Sequence, residues 1–188
     1  PQLDSKARKA LFARKAEYEN NLRQLVREDE LTKVHTRRYF LEKYGELIQK
    51  KQRHRLIMID LDHFKSCNDD YGHDKGDEVL RTFGSLLNET LGSDSFAGRY
   101  GGEEFAVAVP ESVTDPDERL ATVRGKYKDY VSPLYTKSDS LFRGTMSAGI
   151  YDVDFSDPRE NVETAFKKAD TALNIAKGNT VIPGISAE

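Results

Sequence analysis

The stretch Leu56-Ile57-Met58-Ile59-Asp60-Leu61-Asp62 decides the fold of this chain. Its unbroken apolar run is typical of a short strand that is buried in the middle of a sheet. Asp60 and Asp62 stand at alternate positions, so they point to the same side of such a strand. A carboxylate next to a buried strand is costly unless it is paired, bound to a metal or in contact with water. This strand end is therefore either a solvated edge or a functional site.

Helical and extended segments lie on both sides of this strand. Apolar spacing predicts helices over residues 36–49, 74–91 and 162–176. The run Asp115-Pro116-Asp117-Glu118 predicts the start of another helix, with Asp115 as its N-cap. Three further segments have the apolar character of strands: 105–109, 145–151 and 180–182. This mixture predicts a two-layer α+β or α/β domain in which helices pack on a sheet.

Composition limits the classes of protein to which the chain can belong. Its 188 residues predict one domain with an appendage, which is large enough to bury a core without a metal or a disulfide. A net charge of −3 argues against broad binding to a nucleic acid backbone. The single cysteine, Cys67, excludes an internal disulfide and a four-thiolate zinc site. We interpret Cys67 as a packed, unreactive thiol.

The ends of the chain and its hydropathy predict its location. The sequence has no run of about 18 apolar residues and no signal peptide, so we expect no membrane insertion and a cytoplasmic location. Because the first residue is Pro1 rather than Met, we expect a fragment of a longer protein. Other segments of that protein could attach it to a membrane.

Residues 1–28 form a charged segment that we treat as separate from a domain over residues 29–188. The apolar residues of the segment share one helical face: Ala7, Leu11, Tyr18, Leu22 and Leu25. Two interpretations fit this pattern. The segment is either a solvated helix packed on the domain or a signalling stalk that links the domain to an upstream sensory domain.

A second stretch, Arg99-Tyr100-Gly101-Gly102-Glu103-Glu104-Phe105, joins two strands. Gly-Gly favours a two-residue hairpin turn, because both positions accept positive φ angles. The acids that follow are then either solvated or functional. If Glu103 lies beside Asp60, two hard oxygen ligands converge, which suits Mg²⁺ completed by water and substrate phosphates. Two such ions can clamp a phosphoryl transfer.

Residues 64–77, between these two stretches, carry side chains suited to a nucleotide. Lys65 is a candidate phosphate donor. Asn68 and Asp77 are candidates to read a base edge, because a carboxylate accepts from N1–H and N2–H of guanine, while an amide both donates and accepts. Helix capping and turn formation remain the alternative for both residues.

These motifs together strongly resemble the GGDEF family of diguanylate cyclases, in its GGEEF form. The resemblance covers about residues 28–182 and rests on several spaced motifs, so a chance match is rare. The remaining motifs that carry it are Asp29-Glu30-Leu31-Thr32 with Arg37-Arg38, Asp60 to Lys65, Asn68-Asp69, Gly72-His73, Gly76-Asp77, Thr145-Met146-Ser147-Ala148-Gly149, Ala169-Asp170-Thr171-Ala172-Leu173 and Ala176-Lys177.

The resemblance implies a fold, a reaction and an assembly. The fold resembles the palm of polymerases and nucleotidyl cyclases, with a mostly antiparallel sheet flanked by helices. The implied reaction joins two GTP molecules into cyclic di-GMP and releases two pyrophosphates. Each of two facing domains presents one GTP, so a homodimer and two Mg²⁺ or Mn²⁺ ions per active site are implied.

Residue by residue, the resemblance implies roles in metal binding and catalysis. Asp60 and Glu103 would bind the metal ions, together with the main-chain carbonyl of Leu61. Glu104 would lie near the metal ions and the reacting hydroxyl and help its deprotonation.

The resemblance likewise implies the contacts to GTP. Lys65 and Lys177 would bind the β- and γ-phosphates, with main-chain N–H groups around Phe64 and Lys65. Gly101 and Gly102 would give the nucleotide room in the hairpin. Asn68 and Asp77 would bind guanine, and Asp77 favours GTP over ATP.

The sequence departs from the family pattern at four places. Lys177 runs directly into Gly178-Asn179-Thr180, so the usual spacer and the arginine that supports the triphosphate are missing. Asn174 replaces a tyrosine, and Thr36 replaces an asparagine. Gly92-Ser93-Asp94-Ser95 stands where the inhibitory product site has Arg-x-x-Asp, so we expect no product site of that kind.

Two functions remain open. The intact carboxylates, Lys65 and the guanine contacts favour an active diguanylate cyclase. The missing arginine favours a degenerate domain that binds GTP or another nucleotide and acts as a regulatory or protein-interaction module. A cyclase for mixed dinucleotides is a weaker third reading, because Asp77 selects guanine.

Overall fold

The computed structural model describes residues 8–9, 11–15 and 27–178. Ten elements follow one another between residues 35 and 176: β1 (His35–Thr36), α1 (Arg37–Gln49), β2 (His54–Leu61), α2 (Phe64–Tyr71), α3 (His73–Leu91), β3 (Phe96–Gly101), β4 (Glu104–Pro110), α4 (Pro116–Val131), β5 (Met146–Val153) and α5 (Val162–Ala176).

The apolar stretch that includes residues 56–59 forms β2, as predicted, and β2 lies inside a five-stranded sheet of order β1-β3-β4-β2-β5. It pairs antiparallel with β4 on one side and with β5 on the other. Strand β3 is antiparallel to β4, and the short β1 is parallel to β3. The sheet is thus mostly antiparallel and flanked by helices, which confirms the predicted α+β fold.

Helices cover both faces of the sheet because the buried residues of β2 alternate between them. Ile57 and Ile59 belong to a core that includes Phe83 of α3 and Tyr127 of α4. Leu56 and Met58 belong to a second core with residues of α1 and α5: Phe40, Tyr44, Ala165, Ala169 and Leu173. Both layers of helix are therefore fixed against one central strand, so the domain has three layers rather than the two that the sequence predicted.

The approach of α5 to the sheet depends on Gly149 of β5. A Cβ added at Gly149 would lie 2.1 Å from the backbone nitrogen of Leu173 and 2.3 Å from the carbonyl oxygen of Ala169. Both atoms belong to the α5 backbone, which cannot retreat as a flexible side chain could. Only glycine therefore allows this distance between β5 and α5.

Two helix starts differ in detail from the sequence predictions. Thr36 is the N-cap of α1, and its side chain accepts a hydrogen bond from the backbone N–H of Tyr39, so the helix begins one residue later than predicted. Asp115 is the N-cap residue of α4, as predicted, but it holds a left-handed conformation, with φ of 56°, and its side chain makes no capping hydrogen bond.

The predictions for the two ends of the chain lie largely outside the described residues. This holds for Ala7, Tyr18, Leu22 and Leu25 of the N-terminal face and for the strand expected at 180–182. Leu11 is helical and exposed. None of the helices in the described ranges is long and apolar enough to cross a membrane.

Candidate active site

The residues predicted to bind metal lie at the end of β2. Asp60 is paired across the sheet with Glu104 of β4 on one side and with Ser147 of β5 on the other. The backbone N–H of Leu61 donates to the carbonyl oxygen of Glu103, at 3.4 Å. Residues far apart in the sequence therefore converge at one end of the central strands.

The hairpin between β3 and β4 places its turn one residue later than the sequence predicted. Strand β3 runs through Gly101 and β4 begins at Glu104, so the turn residues are Gly102 and Glu103. Only Gly102 has a positive φ, of 44°. The pairing of β3 with β4 is irregular between Arg99 and Gly101, and this irregularity shifts the turn. Glu103 consequently lies in the turn, whereas Glu104 lies in the strand.

The Arg99 side chain ties this hairpin to the segment that precedes the sheet. Its Nε donates to the carbonyl oxygen of Gly102 at 2.9 Å, and its guanidinium forms an ion pair of 3.3 Å with Asp29. Asp29 also accepts from the backbone N–H and the hydroxyl of Thr32. The turn is therefore held from outside the hairpin as well as by its own strands.

Lys177 is the cation of the carboxylate cluster. Its Nζ lies 2.7 Å from Oδ2 of Asp60, just beyond the last residue of α5. Burial and then the charge of Asp60 raise the pKa of Glu104, while Lys177 acts in the opposite direction. The site thus places the carboxylates of Asp60 and Glu104 close together, and the Lys177 ammonium group forms an ion pair with Asp60.

The donor set at this end of the sheet fits a hard divalent cation. Asp60, Glu103 and Glu104 offer carboxylate oxygens, which Mg²⁺ prefers, and Mg²⁺ usually takes only one or two protein carboxylates together with substrate phosphates. Within the described ranges, no group of three or more His, Cys, Asp or Glu side chains is placed to hold a metal ion. A metal site at this end of the sheet would therefore take at most two protein carboxylates.

The first turn of α2 opens beside this cluster. Its N-cap, His63, has a φ of 55° and makes no capping hydrogen bond through its side chain. The first N–H groups of a helix have no partner within the helix and attract anions. Phe64 and Lys65 begin this turn, and the Lys65 side chain is exposed. This arrangement can receive a phosphate group.

Asp62 and Ser147 form a hydrogen bond that holds the short segment between β2 and the first turn of α2. The Ser147 hydroxyl donates to Oδ1 of Asp62 at 2.7 Å, and the backbone N–H of Asp62 donates to the carbonyl oxygen of Thr145 at 3.0 Å. Both residues line one cavity with Asp60 and Lys177. The sequence reasoning assigned Ser147 no part in the site, although the Thr-x-Ser-x-Gly pattern contains it.

The two residues predicted to read the base lie on different helices. Asn68 belongs to α2 and Asp77 to α3, and the helices meet at Gly72. A Cβ added at Gly76 would lie 1.9 Å from Oδ1 of Asn68, so the first turn of α3 packs directly on the Asn68 amide. The Asp77 carboxylate is 3.6 Å from the Arg81 guanidinium. The helix pair thus brings both candidate residues to one region.

Cys67 lies on the inner face of α2 and is fully buried. Burial, followed by the charge of Asp70, raises the pKa of its thiol to about 11. A thiol with that pKa is protonated at neutral pH and is a poor nucleophile. Its packing is as predicted from the sequence.

Comparison with known proteins decides the family. The family model described as diguanylate cyclase, GGDEF domain, matches residues 26–180. This chain belongs to the GGDEF family. The family that its motifs predicted is therefore confirmed.

Curated relatives of this GGDEF domain include named cyclases. A diguanylate cyclase of Vibrio cholerae is 30% identical over 168 residues, which are 87% of this chain and 50% of that protein. Diguanylate cyclase DgcP of Pseudomonas aeruginosa is 33% identical over 159 residues, which are 82% of this chain and 23% of that protein. The chain spans half or less of the length of these relatives.

Solved structures resemble this GGDEF domain over most of its length. The coiled coil and GGDEF domain of DgcB from Caulobacter crescentus, in complex with c-di-GMP, gives a TM-score of 0.69 at 28% identity and covers 90% of each chain. Diguanylate cyclase SiaD of Pseudomonas aeruginosa, in complex with its activator SiaC, gives 0.69 at 29% identity over 92% of this chain and 66% of that chain.

Two departures from the family pattern have a local structural explanation in this GGDEF domain. The Asn174 side chain donates to the carbonyl oxygen of Asp170 and to its carboxylate, so it bonds along α5. Gly92, at the first position of the missing product motif, ends α3 with a φ of 79°. That conformation favours glycine over arginine.

Proposed function

We propose that this domain is a diguanylate cyclase, which condenses two GTP molecules into cyclic di-GMP and releases two pyrophosphates. The observation that carries the proposal is the convergence of Asp60, Glu104 and Lys177 beside the open first turn of α2. Carboxylates for metal ions, a lysine for phosphate and exposed backbone N–H groups are the groups that phosphoryl transfer requires. Family membership supports the same reaction.

We assign metal binding to Asp60, Glu103 and the main-chain carbonyl of Leu61, with two Mg²⁺ or Mn²⁺ ions per active site. The ions would neutralise negative charge on the triphosphate. Lys65, Lys177 and the N–H groups of Phe64 and Lys65 hold the β- and γ-phosphates. Gly101 and Gly102 leave room for the nucleotide. The protein mainly positions its substrates, which accounts for much of the rate in such reactions.

Glu104 is the group that we assign to the proton of the attacking hydroxyl. The 3′-hydroxyl of one GTP forms a bond to the α-phosphorus of the other, the bond to pyrophosphate breaks, and the hydroxyl proton passes to Glu104. Burial and the neighbouring Asp60 raise the pKa of Glu104, which makes its carboxylate a better base than an exposed one.

Base selection is assigned to Asn68 and Asp77. The Asp77 carboxylate accepts from N1–H and N2–H of guanine, and the Asn68 amide both donates and accepts. Adenine lacks these two donors, so ATP would leave the Asp77 carboxylate without partners. A site that reads hydrogen bonds discriminates strongly against a substrate that lacks them.

We propose a homodimer as the active form, since each domain presents one GTP to the other. Residues 1–28 would couple the domain to an upstream sensory domain, with the catalytic domain in the cytoplasm. We propose GTP as the ligand and assign no role in nucleic acid binding. Deletion of residues 1–27 would then lower the activity most at low protein concentration.

The test is to incubate concentrated protein with GTP and Mg²⁺ and to separate the nucleotides by chromatography. A cyclic di-GMP peak that is absent from the Glu103→Gln variant is expected. Without a peak, the assay is repeated with a fused or cross-linked dimer. A folded forced dimer that binds GTP and makes no product would refute the cyclase.

A binding module is the second candidate function, and the residues after α5 favour it. Lys177 ends the helix as its C-cap and Gly178 follows with a φ of 74°, where the family has a spacer and an arginine. A triphosphate would then have one cation fewer. If a fused or cross-linked dimer binds GTP tightly but makes no cyclic di-GMP, the result supports the binding module.

A further inference from the structure

Residues 132–145, which connect α4 to β5, cross the junction between α2 and α3 and bond to both helices. We name this segment the brace. The backbone N–H of Lys137 donates to the hydroxyl of Tyr71, the last residue of α2, at 2.8 Å. The hydroxyl of Tyr135 donates to the carbonyl oxygen of Lys75, in the first turn of α3, at 3.1 Å. The brace therefore holds the chain on both sides of Gly72.

The brace is packed firmly at this junction. Tyr135 is 5% exposed, and its ring meets the rings of Tyr71 and Phe142 edge to face, at 4.9 and 5.3 Å between centroids. The Lys137 ammonium donates to the carbonyl oxygen of Asp70 and lies over the Tyr71 ring. Burial raises the pKa of Tyr135, so its hydroxyl keeps its proton and remains a donor.

The junction sets the distance between the two residues assigned to the base. Asn68 lies one turn before the end of α2, and Asp77 follows Lys75 by two residues in α3. Between them, Gly76 packs on the Asn68 amide, where an added Cβ would lie 1.9 Å from Oδ1. A rotation of the first turn of α3 would therefore move Asp77 relative to Asn68.

Asn68 in α2 and Asp77 in α3 must reach the same guanine base. A small change in the distance between them would therefore remove hydrogen bonds to that base. The Tyr135 bond to Lys75 and the Tyr71 bond to Lys137 resist that change from opposite sides of Gly72. We propose that Tyr135 and Tyr71 are positioning residues that set the base selectivity of the nucleotide site. The proposal rests on the proposed function, because that function assigns Asn68 and Asp77 to guanine.

The test compares two nucleotides that differ at a single group. Inosine triphosphate lacks the 2-amino group of GTP, which is one of the donors assigned to Asp77. Calorimetric titration with Mg²⁺ and the 3′-deoxy form of each nucleotide, which lacks the attacking hydroxyl and cannot react, gives the ratio of the two affinities. Tyr135→Phe keeps the ring and removes only the hydroxyl. We expect it to lower the preference for GTP about two- to tenfold, as the loss of one hydrogen bond implies.

Tyr39→Phe is the matched control, because the same atom is removed from a tyrosine of α1, whose ring packs on His35 rather than at the junction of α2 and α3. We expect the ratio of affinities to stay at the wild-type value. Tyr71→Phe should act in the same direction as Tyr135→Phe, and the two effects should not add, because both bonds hold one junction.

The outcomes separate this inference from the function on which it rests. A folded Tyr135→Phe protein with the wild-type ratio overturns the inference. Equal weakening of both nucleotides also overturns it, because a merely structural role would act that way. If the wild-type protein prefers GTP and Asp77→Ala removes the preference, the assignment of the base site stands whatever Tyr135 does. If the wild-type protein binds neither nucleotide, the proposed function itself fails and the inference falls with it.

Discussion

The Lys177 ammonium lies 2.7 Å from the Asp60 carboxylate, at the place where the proposed function requires a divalent cation. Asp60 is 13% exposed in its side chain and Lys177 is 28% exposed, so the pair is only partly screened by water. The same lysine is assigned to the triphosphate. Binding of nucleotide with its metal ion would therefore exchange one cation for another at Asp60 and move Lys177 to phosphate.

Lys177→Met should affect metal and nucleotide binding in opposite directions. The Asp60 carboxylate loses its partner, so Mn²⁺ alone should bind about tenfold more tightly, while GTP should bind about tenfold more weakly. Free Mn²⁺ is measured by electron paramagnetic resonance and GTP by calorimetry. Lys167→Met, on an exposed position of α5, is the control. Unchanged Mn²⁺ affinity in Lys177→Met would contradict the exchange.

Asp77→Ala should weaken GTP binding while it leaves the binding of metal alone unchanged. Two hydrogen bonds from guanine to a charged acceptor are lost, so we expect a loss of about tenfold or more. Calorimetry with GTP and with Mn²⁺ alone measures both effects. Asp69→Ala removes an exposed carboxylate from the neighbouring helix and controls for the change in net charge. Equal GTP affinity in the Asp77→Ala protein would refute the assignment.

Gly149→Ala should destabilise the domain and disturb the site at once. The new methyl group meets the backbone of α5, and overpacking of this kind costs about 1–3 kcal/mol. Displacement of α5 carries Lys177 away from Asp60, so GTP affinity should fall as well. Denaturant unfolding and GTP titration measure the two effects.

Gly125→Ala is the matched control for that substitution. Gly125 lies in α4 with no atom within 4 Å of an added Cβ, so alanine should stabilise the protein by about 0.5–1 kcal/mol. A Gly149→Ala protein as stable as the wild type would show that β5 and α5 can separate without cost.

His54 should make the domain less stable in mild acid. The ring is 4% exposed, and burial lowers its pKa, although the carbonyl of Gln52 and the charge of Glu160 act to raise it. The unfolded chain therefore binds a proton at a higher pH than the folded domain does. The stability conferred by neutral His54 is present above the unfolded pKa of about 6.5 and is lost as the pH falls towards the lower folded value.

Chemical denaturation at about pH 7.5 and about pH 5.5 measures this effect. His54→Phe keeps a ring against Tyr44, which the imidazole contacts edge to face, and removes the titrating group. The variant should lose less stability between the two pH values than the wild type does. Burial also lowers the pKa of His35, so part of the pH dependence of stability should persist in the His54→Phe variant. An identical pH dependence in both proteins would exclude His54 as the source.

Local sequence pattern predicted most of the sheet and the long helices, because apolar periodicity is a local property. It missed α2, where the apolar residues Phe64, Cys67 and Tyr71 share a face but stand among residues typical of turns. It also missed β1, which is two residues long and exists through its pairing with Gly98 and Arg99. Elements that depend on a distant partner leave little local signal.

For the site, the sequence predicted which residues belong to it but not how they contact one another. The residues assigned to it follow from spaced motifs, and the structure brings Asp60, Glu103 and Glu104 to one end of the sheet. The sequence could not show that Lys177 pairs with Asp60, since that contact depends on how α5 packs on β5. Nor could it show the offset of the turn, which depends on an irregular pairing beside Arg99.

Gly76 has no side chain with which to contact a nucleotide, yet it packs against one of the two residues assigned to the base. In a deep mutational scan of this domain, almost every replacement at Gly76 should therefore score as severely as the loss of Asn68 itself. A map of tolerance would then mark as essential a position that contributes no chemical group. If such a map were interpreted as a list of ligand contacts, Gly76 would be wrongly counted among the residues that bind the nucleotide.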